Sequence, residues 1–388
     1  MPARDESMES GLTTFRFPTT IRFGSGARRT LAEFANRYAV ERPLLVTDQG
    51  MPSTEAYQMV AAALDEVWSG QWQSFAGIHP NPLEQDVEDA WEEYRSSHCD
   101  SVIGFGGGSA IDGARAMRLR VAFPDTPLHD VPLDEVPERL IPFCAIPTTA
   151  GTGSEVGRSA VVTIDGVGRK VVLGASPLMA DLAILDAELT VGLPPHLTAA
   201  TGMDAMTHAI ESYTCPVYHP MCDAIALEAI RMVRHYLPLA VGDGQNLEAR
   251  GQMLMAAAMG AVAFQKDLGA AHSLAHPLST EFGVHHGLAN AIVLPAVVRF
   301  NGETHSALYS RVVEALGRTP NDDPAVQAAD ALEELNQTIS ITQRLRDVKV
   351  PRESLEQLAD KAHQDECHRT NPRPTTRDDL LRLYETTW

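Results

Sequence analysis

The chain has 388 residues, 44% of them hydrophobic and 21% charged, which is the ordinary balance of a globular protein and a length that points to two domains. Its formal charge of −20, from 31 basic and 51 acidic residues, repels polyanions and argues against nucleic acid as a partner. Apolar runs fall short of the ~18 residues of a membrane span, and the scattered Cys99, Cys144, Cys215, Cys222 and Cys367 form no C-x-x-C pair, so neither a disulfide scaffold nor a zinc knuckle is expected and a reducing cytoplasm fits.

In chain order, residues 1–14 read as a frayed tail without signal-peptide or transit-peptide character. Phe15–Phe23 alternates as a strand does and stops at Gly24-Ser25-Gly26. A helix over Ala27–Tyr38, a short apolar strand over Pro43–Thr47 and a second helix over Met51–Val67 follow. Asp48, at the carboxyl end of that strand, stands where open α/β sheets meet their ligands; a carboxylate there accepts from ribose hydroxyls and repels a 2′-phosphate, favouring NAD over NADP.

The helix Leu83–Ser97 leads into the strand Ser101–Phe105, then Gly106, Gly107, Gly108 and Ser109, then the helix Ala110–Leu119. Strand, glycine run and helix together cradle a pyrophosphate, although the run is not G-x-G-x-x-G and a tight turn is the competing reading. Pro-rich Val121–Pro142 reads as an irregular excursion. The chain returns through Phe143–Ile146 to PTTAGTGSE, Pro147–Glu155, whose hydroxyls and glycines offer donors to phosphate or ribose. Val161–Thr163 and Lys170–Leu173 are expected to form a hairpin around Asp165-Gly166, and Asp181–Leu185 to be the last strand of this half.

From Pro194 the composition turns Ala-, Leu- and Met-rich, with expected helices over Thr198–Tyr213, Met221–Tyr236, Asn246–Phe264, His272–Thr280, Leu288–Val298, Thr304–Leu316, Ala325–Val348, Arg352–Lys361 and Thr376–Tyr384. The fold class is therefore an α/β, Rossmann-like dinucleotide-binding domain over residues 1–193 followed by an all-helical domain over 194–388.

The densest chemistry lies in Gly269–Gly287, GAAHSLAHPLSTEFGVHHG, with His272, His276, His285 and His286. His272 and His276 share one helix face, and upstream Asp204 and His208 repeat the i,i+4 spacing. Ionisable groups among Ala209, Ile210, Leu274 and Ala275 must be paired or bound. One carboxylate with several imidazoles suits a divalent first-row transition metal rather than Ca²⁺ or Mg²⁺, and the residues alone do not choose between His285 and His286. A lone D-x-x-x-H is more often a structural acid and histidine; four candidates on two apolar segments are not.

GGGSAID (Gly106–Asp112), IPTTAGTGSE (Ile146–Glu155), TGMDAMTHAIESY (Thr201–Tyr213) and HSLAHPLSTEFGVHHG (His272–Gly287) together resemble the iron-containing (group III) alcohol dehydrogenases, over nearly the whole chain from FRFPTTIRFGSGA to DECHRTNPRP. The resemblance implies a dinucleotide domain, a helical metal domain and a cleft between them that holds the active site. It implies a metal held by Asp204, His208, His272 and His286, with Fe²⁺ favoured and Zn²⁺ as the other choice, and His276 as a catalytic, proton-relaying histidine beside it. Asp48 matches the acid linked to NAD preference, Gly106, Gly107, Gly108 and Ser109 the pyrophosphate loop with Asp112 in the same cofactor motif, Thr148, Thr149 and Thr152 the ribose and nicotinamide side, and Lys170 a cofactor-contacting lysine.

Departures from the family pattern are His285 in place of a frequent Pro, Asp267 in place of Gly, Ala180 in place of Pro and Arg115 in place of Lys. The expected function is hydride transfer between a primary or secondary alcohol, or the matching aldehyde or ketone, and NAD(H) in a cytoplasmic homodimer. The alternatives are a metal- and NAD-dependent lyase or cyclase of the dehydroquinate-synthase type and a non-catalytic nucleotide or metal sensor. Phe264 and the His363–His368 loop are further candidates to line the substrate site, with a solvated loop as the simpler reading for His363 and His368.

Overall fold

The computed structural model describes residues 17, 19–164 and 169–388. The N-terminal tail, the first part of the expected Phe15–Phe23 strand and the Asp165-Gly166 turn lie outside these residues.

The chain divides into two compact units: the first runs to Thr149 and resumes over Gly153–Gly192, the second comprises Ala150–Thr152 and Leu193–Trp388. The first unit is built on a six-stranded sheet of β1 (Thr20–Phe23), β2 (Pro43–Asp48), β3 (Gln73–Ile78), β4 (Ser101–Gly106), β5 (Phe143–Pro147) and β8 (Leu182–Leu185) in the order β1-β8-β5-β4-β2-β3. Its neighbouring strands are parallel throughout. Strands covered on both faces read as continuous apolar runs, and the two-residue period sorts them into two cores. Leu44, Val46, Val102, Phe143 and Ala145 pack on one face, Leu45, Ile103, Phe105, Cys144 and Ile146 on the other.

After β2 the chain moves outward to β3 and then returns to the opposite side of β2 for β4. That reversal is a topological switch point, the place where doubly wound sheets open a crevice beyond the strand ends. It sets Asp48, the last residue of β2, beside Gly106, the last residue of β4. The remaining strands of the unit, β6 (Ser159–Ile164) and β7 (Arg169–Gly174), form the expected antiparallel pair, with Thr163 opposite Lys170.

The second unit is helical, with helices over Pro195–Thr214, Pro220–Gly242, Leu247–Ala263, Ala270–Phe282, His286–His305, Ser310–Ala315, Pro324–Thr338, Leu355–Gln364 and Arg377–Thr387. The single helix expected over Ala325–Val348 ends at Thr338, because Ser340 takes positive φ and breaks the run. Pro195–Thr214 opens with proline in its first turn, where the missing N–H is no loss, and is buried around most of its circumference. Among the described residues no helix is long and apolar enough to cross a membrane.

Candidate active site

In the first unit the helix Gly108–Ala122 starts where β4 ends, so its first N–H groups, which have no partner within the helix, face the crevice beyond the strand ends. Gly106 has φ 136°, a conformation that favours glycine, and a β-carbon there would lie 3.3 Å from Oδ2 of Asp48. Asp48 spends Oδ1 on its own turn, accepting from the N–H of Gly50 at 2.9 Å and of Met51 at 3.2 Å. Its Oδ2 is the oxygen on the Gly106 side.

The N–H of Thr148 donates to the carbonyl of Gly106 at 2.9 Å, which joins the two candidate phosphate and ribose loops. Thr149 lies against Gly107, whereas Thr152 belongs to the second unit. The Ser109 hydroxyl donates to the carbonyl of Pro80, and the Lys170 ammonium donates to Oδ1 of Asn81 at 2.8 Å. Burial pushes the pKa of Lys170 down, with the Asp112 charge opposing. Asn81 was not singled out by sequence.

Asp112 is held by three donors of the first unit. One oxygen accepts from Nη1 of Arg115 at 2.8 Å and from the Ser154 hydroxyl, the other from the N–H of Val161 at 3.1 Å. Arg115 is fully buried and also reaches the carbonyls of Ser154 and Ser159. The pair ties the Gly108–Ala122 helix to the Ser154 turn and to β6. The five N–H donors of the planar Arg115 fork serve these acceptors and the carbonyl of Leu178 together, more than the three donors of an ammonium could.

In the second unit Asp204, His208 and Glu211 lie on one face of the Pro195–Thr214 helix, at i, i+4 and i+7. The Ala270–Phe282 helix brings His272 and His276 to that face, and His286 arrives as the first residue of the His286–His305 helix. The approach is close: a β-carbon on Gly287 would lie 2.0 Å from the carbonyl oxygen of Ala200, so only glycine lets the two helices pack at this crossing.

Oδ1 of Asp204 is the common point. Nε2 of His286 lies 3.4 Å from it, Nε2 of His272 3.8 Å and Nε2 of His208 4.0 Å. The donor atoms of Asp204, His208 and His272 fall within 4.8 Å of one another. Ligands roughly 2.0–2.2 Å from a tetrahedral or octahedral ion are separated by comparable edges, so these three donors fit a divalent transition metal, with His286 beside Asp204 as the further candidate. His286, rather than the exposed His285, faces the carboxylate.

Electrostatics agree with that fit. Burial drives the pKa of His208 down to about 4, against the opposing pull of Asp204, and drives that of His286 well below the ordinary value. Both rings are therefore neutral at pH 7, with lone pairs available. Burial alone would raise the pKa of Asp204, but the histidines and the Asn290 amide bring it down to about 2, so it is a carboxylate. His272 differs: burial lowers its pKa, yet the bond to Glu211 and the charges of Glu211 and Asp204 leave it raised. Glu211 accepts from Nδ1 of His272 at 2.5 Å, which holds the proton on that nitrogen and turns Nε2 toward Asp204.

His276 is partly exposed; its Nδ1 lies 2.8 Å from Oδ2 of Asp365, and its ring stacks on His286 at 5.3 Å between centroids. Asp365 also accepts from Ser273 Oγ at 2.8 Å and from the N–H of Cys367 at 2.9 Å. Phe264 packs on His208 with centroids 5.1 Å apart. His368, expected in a solvated loop, is instead buried, bonded to Thr375 Oγ1 and the carbonyl of His363; His363 itself is exposed. Glu211, Asn290 and Asp365 are the residues of this site that sequence reasoning missed. Glu211 stands at i+3 from His208 and Asn290 at i+4 from His286, so helical spacing was the available signal.

Residues 18–187 match the family model described as iron-containing alcohol dehydrogenase, and residues 198–388 match the C-terminal model of the Fe-containing alcohol dehydrogenase family. The chain is 35% identical to 4-hydroxybutyrate dehydrogenase of Cupriavidus necator, across 95% of this chain and 97% of that protein. Among solved structures, 1,3-propanediol oxidoreductase superposes with a TM-score of 0.92 at 31% identity, covering 97% of this chain and 100% of the other. Sulfoacetaldehyde reductase from Bifidobacterium kashiwanohense in complex with NAD⁺ superposes with a TM-score of 0.87 at 30% identity, covering 97% and 98%.

Proposed function

The chain belongs to the iron-containing alcohol dehydrogenase family, and from that premise we propose how its residues divide the work of an NAD-dependent alcohol oxidoreductase. The observation that carries the reading is the convergence of three imidazole Nε2 atoms on Oδ1 of Asp204.

Asp204, His208, His272 and His286 hold one divalent ion, with Fe²⁺ favoured by the family and Zn²⁺ compatible with the same donors. When bound, the ion supplies Lewis-acid polarisation of the substrate oxygen and NAD supplies the hydride acceptor. Glu211 keeps His272 in the tautomer that offers Nε2. His276, oriented through Nδ1 by Asp365, presents its other nitrogen to take the alcohol proton in oxidation and return it in reduction. Asp48 meets the adenosine ribose and disfavours a 2′-phosphate. The N-terminus of the Gly108–Ala122 helix, with Gly106, Gly107 and Ser109, receives the pyrophosphate. Thr148, Thr149, Thr152 and Lys170 serve the remainder of the cofactor.

Relatives that act on 4-hydroxybutyrate and 1,3-propanediol support a small, hydroxyl-bearing substrate. A homodimer and a cytoplasmic location complete the proposal, in line with the scattered free cysteines.

The test is to purify the protein without chelators, measure bound metals, and follow NADH formation with short alcohols and diols. Activity lost on metal stripping and restored by one ion supports the reading and names the ion. His272→Ala is expected to abolish turnover while leaving NAD affinity within about twofold, because the proposed NAD and metal groups lie mostly in different units. Loss of both to the same degree in a folded variant sinks it.

A further inference from the structure

Asn290 is fully buried one turn along the His286–His305 helix from His286, and its contacts are one-sided. Its amide nitrogen donates to Oδ1 of Asp204 at 2.8 Å and lies 3.4 Å from Nε2 of His272 and 3.2 Å from Nε2 of His286. These are the atoms that face one another in the candidate metal site. Among the described residues its carbonyl oxygen has no hydrogen-bond partner, although it too is buried. Reversing the amide would not relieve this, because it would set the carbonyl oxygen against the carboxylate of Asp204. A buried acceptor without a partner is a net burden on the fold. What the residue contributes is therefore at its NH₂ end, where the bond to the Asp204 carboxylate is charge-assisted.

We infer that Asn290 is a positioning residue for the metal: its N–H fixes the rotation of the Asp204 carboxylate so that Oδ1 faces His208, His272 and His286, and caps the side of the donor set formed by Asp204, His272 and His286. The inference rests on the metal-holding role proposed above. The chemistry is that of a partner one bond removed from the ion: a carboxylate free to rotate presents either oxygen, and a fixed one presents the same oxygen at the same place each time.

The test compares the full-length protein with Asn290→Leu, which keeps the branching of the side chain and removes the donor, and with Asn290→Ala as a second variant should the first fail to fold. The probe is Co²⁺ alone, titrated into chelator-treated protein and read from its visible absorption, with thermal unfolding of the metal-free protein and NAD binding measured alongside. The expected result is Co²⁺ affinity weakened by about 10–100-fold with an altered absorption band, metal-free stability lowered by less than that loss of affinity, and NAD affinity unchanged. Unchanged affinity and absorption overturn the inference, as does a weakening matched by a comparable loss of metal-free stability, which marks a structural role. If the parent takes up no Co²⁺, or His272→Ala takes it up equally well, the metal reading itself is overturned rather than the part given to Asn290.

Discussion

Glu211 and His272 are joined by a 2.5 Å hydrogen bond between Oε2 and Nδ1, both side chains are almost wholly buried, and the other oxygen of Glu211 accepts from the N–H of Ala271 at 2.6 Å. One carboxylate thus holds both a ring and the start of the helix that carries it, where a negative charge also meets the positive end of the helix dipole. Removing the charge while keeping the shape separates these effects. Glu211→Gln is expected to weaken metal binding by about 10–100-fold, because the ring loses the partner that raises its basicity. Metal titration against the parent checks this; an unchanged affinity would show that the carboxylate only anchors the helix.

Much of this site was legible in the sequence because its spacing is helical. Asp204 with His208 and His272 with His276 announce themselves as pairs one turn apart, and the apolar residues between them announce burial. The strand-loop-helix order around Gly106 was equally plain, since β4 is an uninterrupted buried run with a glycine stop. What could not be read is which group faces which. His285 and His286 are adjacent, and only the start of a helix at His286 turns the second toward Asp204. Asp112 sits in a cofactor motif, yet its partners Ser154 and Val161 come from more than 40 residues away. His368 looked solvated because its burial depends on Thr375 and Ser273, the latter 95 residues distant.

Asp48 offers a prediction on cofactor choice. Because Oδ1 closes the turn to Gly50 and Met51, replacing the residue by glycine would loosen the turn and remove the charge together. Asp48→Asn retains an acceptor for the turn and removes only the charge. The ratio of kcat/KM for NADP to that for NAD is expected to rise about tenfold or more, equivalent to about 1.4 kcal/mol. Steady-state kinetics with both cofactors decides, and an unmoved ratio rejects the discriminating role.

Asp267 has φ 100° and ψ 179°, a backbone region that is essentially reserved for glycine. Its carboxyl pKa is raised, first by burial and then by Glu366, Asp365 and Glu211, with the bond from the N–H of Leu268 opposing. The side chain is nonetheless exposed, so the gain in Asp267→Gly comes from relief of backbone strain of about 1–3 kcal/mol, while the added freedom of the unfolded chain takes back about 0.5–1 kcal/mol. A net gain of about 1 kcal/mol is expected, or about 1 °C in the midpoint of thermal unfolding. A midpoint that falls would mean that the Leu268 bond outweighs the strain.

Glu155 gives the pH dependence. It is 2% exposed, and burial lifts its pKa to about 7, with its own backbone N–H and Arg115 pulling the other way. An acid whose pKa is raised by folding stays protonated in the native state while the unfolded chain has already ionised. The unfolded state then binds fewer protons, so stability falls as pH rises from about 4.5 to about 7 and levels off above. The full effect is on the order of 3 kcal/mol. Glu155→Gln has no proton to lose, so its stability relative to the parent is expected to rise across that window, whatever fixed difference the amide introduces. Urea unfolding of both proteins at pH 5 and pH 7.5 measures the change. If the difference between them is the same at both values, Glu155 ionises normally and Arg115 compensates its burial in full.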